Sequence, residues 1–450
     1  MKSIQKYSLI LLIFIPYLAS AQFFSTYSTS RSDVNSALYN PASLRLPHKK
    51  WAANVLSVQG VVNANTANIP VKELAHINGN FLRQNVLGTL AISTGSGTID
   101  LRGPSLAYGI NDKLTIAAGI RTRMHANYWN ADGRLISEIG EVVKVPQEYP
   151  YTMLRENMEM SAATFSEFNV SASYLILKNE KHSVTGGVTL KYINGVAHSS
   201  ISVPELSGTI RRINDYLTSL SEAEGFVETR TAGKLYADFG LKNLIKPRKA
   251  GIGASLGLMY EYKTAANENY KLRLGIAVTD LGQIRYKADS AYSKSYNIGI
   301  PINKALYFNN NFNNSTFSQT TEVFDAYPEF FEKTGSSDQT YAVSLPTALS
   351  ITADYHIQNS FFANAQAMIS LQPRNQVNKL YNYSGMLISP RWDNGKTAIA
   401  VPISYQEYAG FNAGLNFKYR SFFIGSNSII GNVLGGSRQL DLFAGFVIQP

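Results

Sequence analysis

The chain has 450 residues, of which 45% are hydrophobic and 16% charged, a balance that excludes an intrinsically disordered protein. Its mean hydropathy of −0.11 is too polar for a bundle of membrane helices, and the absence of cysteine excludes disulfides, thiolate metal sites, a catalytic thiol and a cysteine-linked lipid anchor. The formal charge of +10 is dispersed, with Lys246, Arg248 and Lys249 as its densest group, so nucleic acid is not an expected partner.

In chain order, the first feature is an export signal. Lys2 and Lys6 precede an apolar run from Tyr7 to Leu18, too short to span a bilayer, and Ala19-Ser20-Ala21 follows. This predicts a secretory signal peptide over 1–21, cleaved between Ala21 and Gln22, leaving a mature chain nearer +8. Residues 22–50 lack strand alternation and are expected to form a plug or hatch segment ahead of the first strand.

Beyond residue 50 the pattern is a side-chain period of two. In the run from Leu272 to Val278, Leu272, Leu274, Ile276 and Val278 share one face, and Arg273, Gly275 and Ala277 share the other. From Leu349 to Ile357, Leu349, Ile351, Ala353, Tyr355 and Ile357 oppose Ser350, Thr352, Asp354 and His356. The runs Ser183–Tyr192 and Leu415–Arg420 alternate likewise. The 27 tyrosines cluster near strand ends, where interfacial girdles sit, and many of the 33 glycines fall on the polar face, where a crowded lumen needs small residues.

About 14 strands are expected over 51–450, with 16 as the alternative if 198–250 holds an added hairpin at Lys234 to Gly240; both counts are even, as closed outer-membrane barrels require. Short turns at Asn111-Asp112, Asn179–Lys181, Thr264–Asn269, Gln358-Asn359, Trp392–Gly395 and Arg420-Ser421 all fall on one side. Long connections at about 127–163, 198–250 and 291–340 fall on the other, the pattern of periplasmic turns and outer loops. Within them, Arg211–Glu224 is predicted to be an amphipathic helix with Ile213, Tyr216, Leu217 and Leu220 on one face. The fold class is therefore all-β, a transmembrane antiparallel barrel with an N-terminal luminal segment and long outer loops.

The polar parity of the strands places Lys191, Arg273, Asp354, His356 and Lys418 toward the lumen as its expected lining. Asp280-Leu281-Gly282 reads as a strand kink, because glycine beside an acidic residue inside a strand marks a bulge or bend. Asn40-Pro41 is a turn signal. The six histidines show no zinc spacing, and no G-x-S-x-G or Walker A sequence is present; no metal, cofactor or enzymatic activity is expected.

Tyr39-Asn40-Pro41-Ala42 resembles the N-P-A motif of FadL-type long-chain fatty-acid channels and of PorV-like barrels of Bacteroidota. Gly251–Lys263, Leu272–Tyr286, Leu345–Tyr355 and Ser389–Tyr405 resemble the DUF5723 barrels of Bacteroidota over most of the mature chain. The resemblance implies a 14-stranded FadL-like barrel in the outer membrane of a Gram-negative bacterium, with Tyr39 to Ala42 as a plug motif and the Gly282 kink as a lateral exit into lipid. Two readings of function stay open: a passive channel for hydrophobic or amphipathic small molecules, and a non-transporting scaffold that binds an envelope protein partner in a surface or secretion assembly. An integral-membrane hydrolase is a third.

Overall fold

Alternating strands carry one face suited to lipid and one that is not, and a sheet of them satisfies both its faces and its edges only by closing on itself. The computed structural model describes residues 34–46, 50–70, 91–140, 149–214, 217–233, 250–264, 270–308 and 320–448. The expected signal peptide and the Lys234–Gly240 hairpin lie outside the described residues.

Fourteen antiparallel strands form the ring. They are β1 (Trp51–Ala64), β2 (Ile92–Gly109), β3 (Leu114–Asp132), β4 (Tyr151–Lys178), β5 (His182–Asn214), β6 (Ala250–Tyr262) and β7 (Leu272–Lys287), followed by β8, in two pieces (Thr340–Ser344 and Ala348–Gln358). Then come β9 (Phe361–Ser370), β10 (Gly385–Asp393), β11 (Thr397–Ala400 with Ile403–Gln406), β12 (Gly410–Ala413 with Leu415–Tyr419), β13 (Phe422–Ser426) and β14 (Gln439–Ile448). β1 pairs with β14 from Ala53↔Ile448 to Asn63↔Gln439, which closes the ring.

Five of the six expected short turns lie at one end, together with the start of β1 and the end of β14; residues 265–269 of the sixth lie outside the described residues. Asn111, Asn179 and Asn394 tighten three of them, each accepting backbone N–H bonds from residues two and three ahead. Outside the ring, Ile99, Ile120, Val170, Leu190, Leu256, Leu258, Ile276, Ile351, Ile388 and Leu442 are exposed, a continuous apolar belt. Tyr108, Tyr174, Tyr355, Phe361, Tyr419, Phe422 and Phe446 are exposed next to the turns and form the girdle that the sequence anticipates. Among the described residues no helix is long and apolar enough to cross a membrane; the strands do the crossing.

The long connections are more ordered than expected. β3 runs to Asp132, β4 starts at Tyr151, and β5 continues to Asn214. The expected helix at Arg211–Glu224 is instead the end of β5 and the start of the strand Leu217–Ala232, paired through Ile210↔Leu220 and Arg212↔Thr218. Its apolar residues fit a helical period, but the open edge of β5 supplied a ladder, and a bulge at Glu222 (φ 51°) turns Leu220, Ala223 and Val227 to one buried face. Strands Lys294–Ile300 and Phe331–Ser336 extend this sheet. Helices α1 (Gly133–Gly140) and α2 (Thr320–Ala326) contribute Leu135 and Phe324 to its core, which also holds Met153, Tyr296, Phe330 and Phe331. The result is an outer platform with a core separate from the barrel.

Leu190 sits in the lipid belt, 61% exposed. Leu190→Arg is expected to lower unfolding free energy in lipid vesicles by about 2–4 kcal/mol, read from urea titration; a change below about 0.5 kcal/mol would place that face in water.

Candidate functional site

A ring of this size is too wide for strand side chains alone to fill, so its interior must be filled from elsewhere or left open. Residues 34–46 lie inside it. Two short 3₁₀ turns, Val34–Leu38 and Pro41–Leu44, flank Asn40, which is 1% exposed. The Asn40 carboxamide oxygen accepts the Ala42 N–H at 2.9 Å, capping the second turn, and its amide donates to the Leu258 carbonyl of the wall at 3.1 Å. Neighbouring strands leave room through three lumen-facing glycines. A methyl group on Gly187 would lie 2.6 Å from the Pro41 carbonyl oxygen, one on Gly275 would lie 2.9 Å from the Asn40 amide nitrogen, and one on Gly257 would collide with the Asn40 side chain. Tyr39 is held by the Arg102 guanidinium. Val34, Ala37, Leu44 and Leu46 pack on Ala52, Ala107 and Ala117 of the wall.

Above this segment the lumen carries a layer of buried charge. Arg121 grips Asp100 with two bonds of 2.8 Å, and Arg102 reaches the same carboxylate at 2.9 and 3.1 Å. Arg123 bridges from β3 to Asp280 on β7 at 2.7 and 3.1 Å and also meets Glu167. Lys191 meets Asp280 as well. Asp280 thus joins β3, β5 and β7 across the interior.

Asp280 occupies a break in the wall. Its φ is 56° and that of Gly282 is 138°, so the chain passes twice through the left-handed region. Toward β6 the register shifts between Ala254 and Leu256, and the Asp280 N–H bonds the Ser255 hydroxyl at 3.2 Å instead of a carbonyl. Toward β8 the pairing stops at Thr279↔Ala348 and resumes at Gln283↔Ser344. Residues 345–347 fill the interval: Leu345 donates its N–H to the Gly282 carbonyl at 3.0 Å, and the Thr347 hydroxyl donates to the Asp280 carbonyl at 2.7 Å.

The other expected lumen residues are dispersed. Arg273 pairs with Glu261 at 2.6 Å. Asp354 pairs with Arg391 at 2.9 Å and with the Tyr270 hydroxyl. His356 is half-buried at the turn end and bonds the Asn359 carbonyl at 2.8 Å, apart from Asp354; Lys418 is half-buried on β12. The parity of β2, β3 and β4 also points Asp100, Arg102, Arg121, Arg123 and Glu167 inward, a signal present in the sequence but not extracted from it; the contact from Arg123 to Asp280 has no sequence signature.

A cavity of about 20 Å³ lies between the N-terminal segment and the charge layer, lined by Tyr39, Asp100, Arg123, His125 and Asp280 among others. It has room for a water molecule and none for an acyl chain or an aromatic ring. Ser161 and His198 are 3.2 Å apart, but His198 Nδ1 faces the Tyr341 hydroxyl and not a carboxylate, and the Ser161 hydroxyl donates to the Val377 carbonyl at 2.9 Å. That arrangement lacks the acid that completes a hydrolytic triad. Among the described residues no His, Asp and Glu cluster could hold a metal ion.

The profile of a family of unknown function, DUF5723, matches residues 45–427. None of the curated proteins compared matches the sequence. The toluene transporter TbuX of Ralstonia pickettii is similar at 12% identity, with 94% of this chain and 95% of that one covered and a TM-score of 0.44. The toluene transporter TodX of Pseudomonas putida is similar at 12% identity over 96% and 95% of the two chains, with a TM-score of 0.43. A FadL homologue of Pseudomonas aeruginosa is similar at 12% identity over 93% and 94%, with a TM-score of 0.31.

Two outcomes are expected of substitutions here. Gly187→Val should drive residues 34–46 from their seat, so that a Ser43→Cys reporter, unique in a cysteine-free chain, reacts with a water-soluble maleimide at least tenfold faster than in the Gly187 background; equal rates would mean the seat is not set by glycine. Asp280→Ala leaves Arg123 and Lys191 buried without their shared carboxylate and should cost about 3–5 kcal/mol in urea unfolding, whereas Asp354→Asn, remote from that layer, should not change the Arg123 contacts.

Proposed function

The chain belongs to the DUF5723 family, and we propose that it is a gated passive channel of the outer membrane for hydrophobic or amphipathic small molecules, with residues 34–46 as plug and gate. One observation carries this reading: the plug rests against the wall at β5, β6 and β7, and the last of these is the strand whose ladder is interrupted at Asp280–Gly282. A wall stitched there by side chains and a loop opens more readily than one held by a continuous backbone ladder. An apolar solute that reaches the interior then has a lateral exit into lipid at that point. Arg123 and Lys191 hold Asp280 inward and keep the break closed at rest. The signal peptide, cleaved between Ala21 and Gln22, delivers the chain to the envelope; a mature protein whose first residue is not Gln22 would correct that boundary.

The outer platform favours a second reading. An ordered sheet with its own apolar core exceeds what a pore needs, and Leu154 and Ile302 on it are 69% and 77% exposed. On this reading the barrel is a scaffold for an envelope protein partner. A photo-crosslinker at Ile302 that yields one discrete adduct on intact cells would support it.

Uptake decides the channel reading. Cells that carry the chain should admit toluene or a fluorescent long-chain acyl probe at least tenfold faster than cells from which it is deleted. Removal of residues 22–46 behind an intact signal peptide should raise the rate further and abolish its saturation. Equal uptake with and without the protein, over both probes, rejects transport.

A further inference from the structure

At the outer mouth, the upper ends of β3 and β4 meet two connections, residues 371–384 between β9 and β10 and the short turn 407–409 between β11 and β12. They enclose a notch that the channel reading does not use. A chain of rings runs beside it. Trp129 meets Tyr408 edge to face at 6.0 Å, Tyr408 meets Tyr383 at 4.9 Å, and Tyr383 meets Tyr381 at 5.5 Å. Polar contacts away from the notch hold the rings in place. His125 Nε2 and the Asn127 amide both meet the Tyr381 carbonyl at 2.9 Å, and Glu407 binds Arg374 and the Tyr381 hydroxyl, each at 2.8 Å.

Three polar groups on the notch are left over. The Tyr408 hydroxyl is buried and has no hydrogen-bond partner. Glu159, which stands opposite Trp129 in the ladder, and Lys379 form no ion pair among the described residues. A buried hydroxyl without a partner is costly unless water or a ligand meets it. Tyr408 also holds φ at 48°, where a bulky residue is rare, so the turn carries its tyrosine against the preference of the backbone. The notch is about 20 Å³, the room of one water or one hydroxyl group, and Arg374 and Gln376 on its rim are exposed. Glu407 neutralises Arg374, and Glu159 balances Lys379, so the walls favour neither an anion nor a cation.

We propose that this notch is a saccharide subsite: it admits one hydroxyl of a pyranose, whose ring rests outside it against Trp129 and Tyr408. The Tyr408 hydroxyl bonds the inserted group, while Glu159 accepts from neighbouring hydroxyls and Lys379 donates to them. A polyol serves all three, because each hydroxyl is donor and acceptor at once. The C–H face of the sugar suits the half-buried rings. A hydrocarbon is excluded, since an aromatic ring or acyl chain exceeds the notch and would leave the three polar groups dry. A charged ligand meets one of Glu159 and Lys379 and is repelled by the other. The site recognises the medium at the mouth and does not depend on the channel reading. Two sources present this chemistry there, a free sugar and the glycan of lipopolysaccharide.

The chain has three tryptophans, and Trp51 and Trp392 lie at the turn end, so Trp51→Phe with Trp392→Phe leaves Trp129 as the reporter. This protein, held in a detergent without sugar such as lauryldimethylamine oxide, is titrated with glucose, galactose, mannose, N-acetylglucosamine and purified lipopolysaccharide. A saturable change in Trp129 emission with at least one of them is expected. A response to a free sugar assigns a soluble ligand, and a response to lipopolysaccharide alone assigns the surface glycan. Tyr408→Phe, which keeps the ring and removes the hydroxyl, should weaken the response by about tenfold. Lys379→Ala, at a half-buried position, should weaken it by about threefold and serves where Tyr408→Phe does not fold. No saturable change with any of the five, affinity unaltered in the folded variants, or an equal change with toluene overturns the subsite.

Discussion

Closure of the ring is the constraint from which the rest follows. A backbone amide facing hydrocarbon has no water to bond, so each strand needs a neighbour on both sides, including the first and the last. The ladder from Ala53↔Ile448 to Asn63↔Gln439 meets that need, and it fixes the parity of every strand between them. Once the parity is set, Leu, Ile and Val face lipid and every charged residue on the opposite parity is committed to the interior.

That commitment shapes the lumen. Charges taken from water into a narrow interior persist only as pairs, and Asp100, Glu167 and Asp280 are each shared by two or more cations. The pairs also hold the ring in shape, since Arg123 and Asp280 stand on strands four places apart. Below them the glycines of β5, β6 and β7 make a seat for the plug segment, and above them a packed apolar cluster takes in Leu380 from the connection between β9 and β10. Seat and charge layer follow one another along the barrel axis, and the interruption of the wall at Asp280–Gly282 touches both: Gly275 lies on the same strand, and Asp280 is in the charge layer.

The sequence made some of this legible and hid the rest. Period-two alternation located the ring strands, and Asn-rich turns assigned them to one end, because both signals are local. Asp280 and Gly282 announced a bend for the same reason, since backbone in the left-handed region favours these residue types. Arg211–Glu224 misled because its apolar spacing fits two periods, and the free edge of β5 decided between them. His356 and Asp354 share a strand face, yet one bonds a turn carbonyl and the other Arg391, so shared parity did not make them a pair.

By itself the sequence determined the class of the fold, the face of each strand and the solvent each face meets, because strand geometry converts residue order into sides without reference to any other part of the chain. Only the tertiary structure decided which inward residues meet: that Arg123 reaches Asp280, that Asn40 rests among three glycines, and that Leu380 packs with Phe165 and Ile193. Those contacts span up to 236 positions of sequence. They depend on the curvature of the closed sheet and on where its loops cross it, quantities that no local pattern encodes.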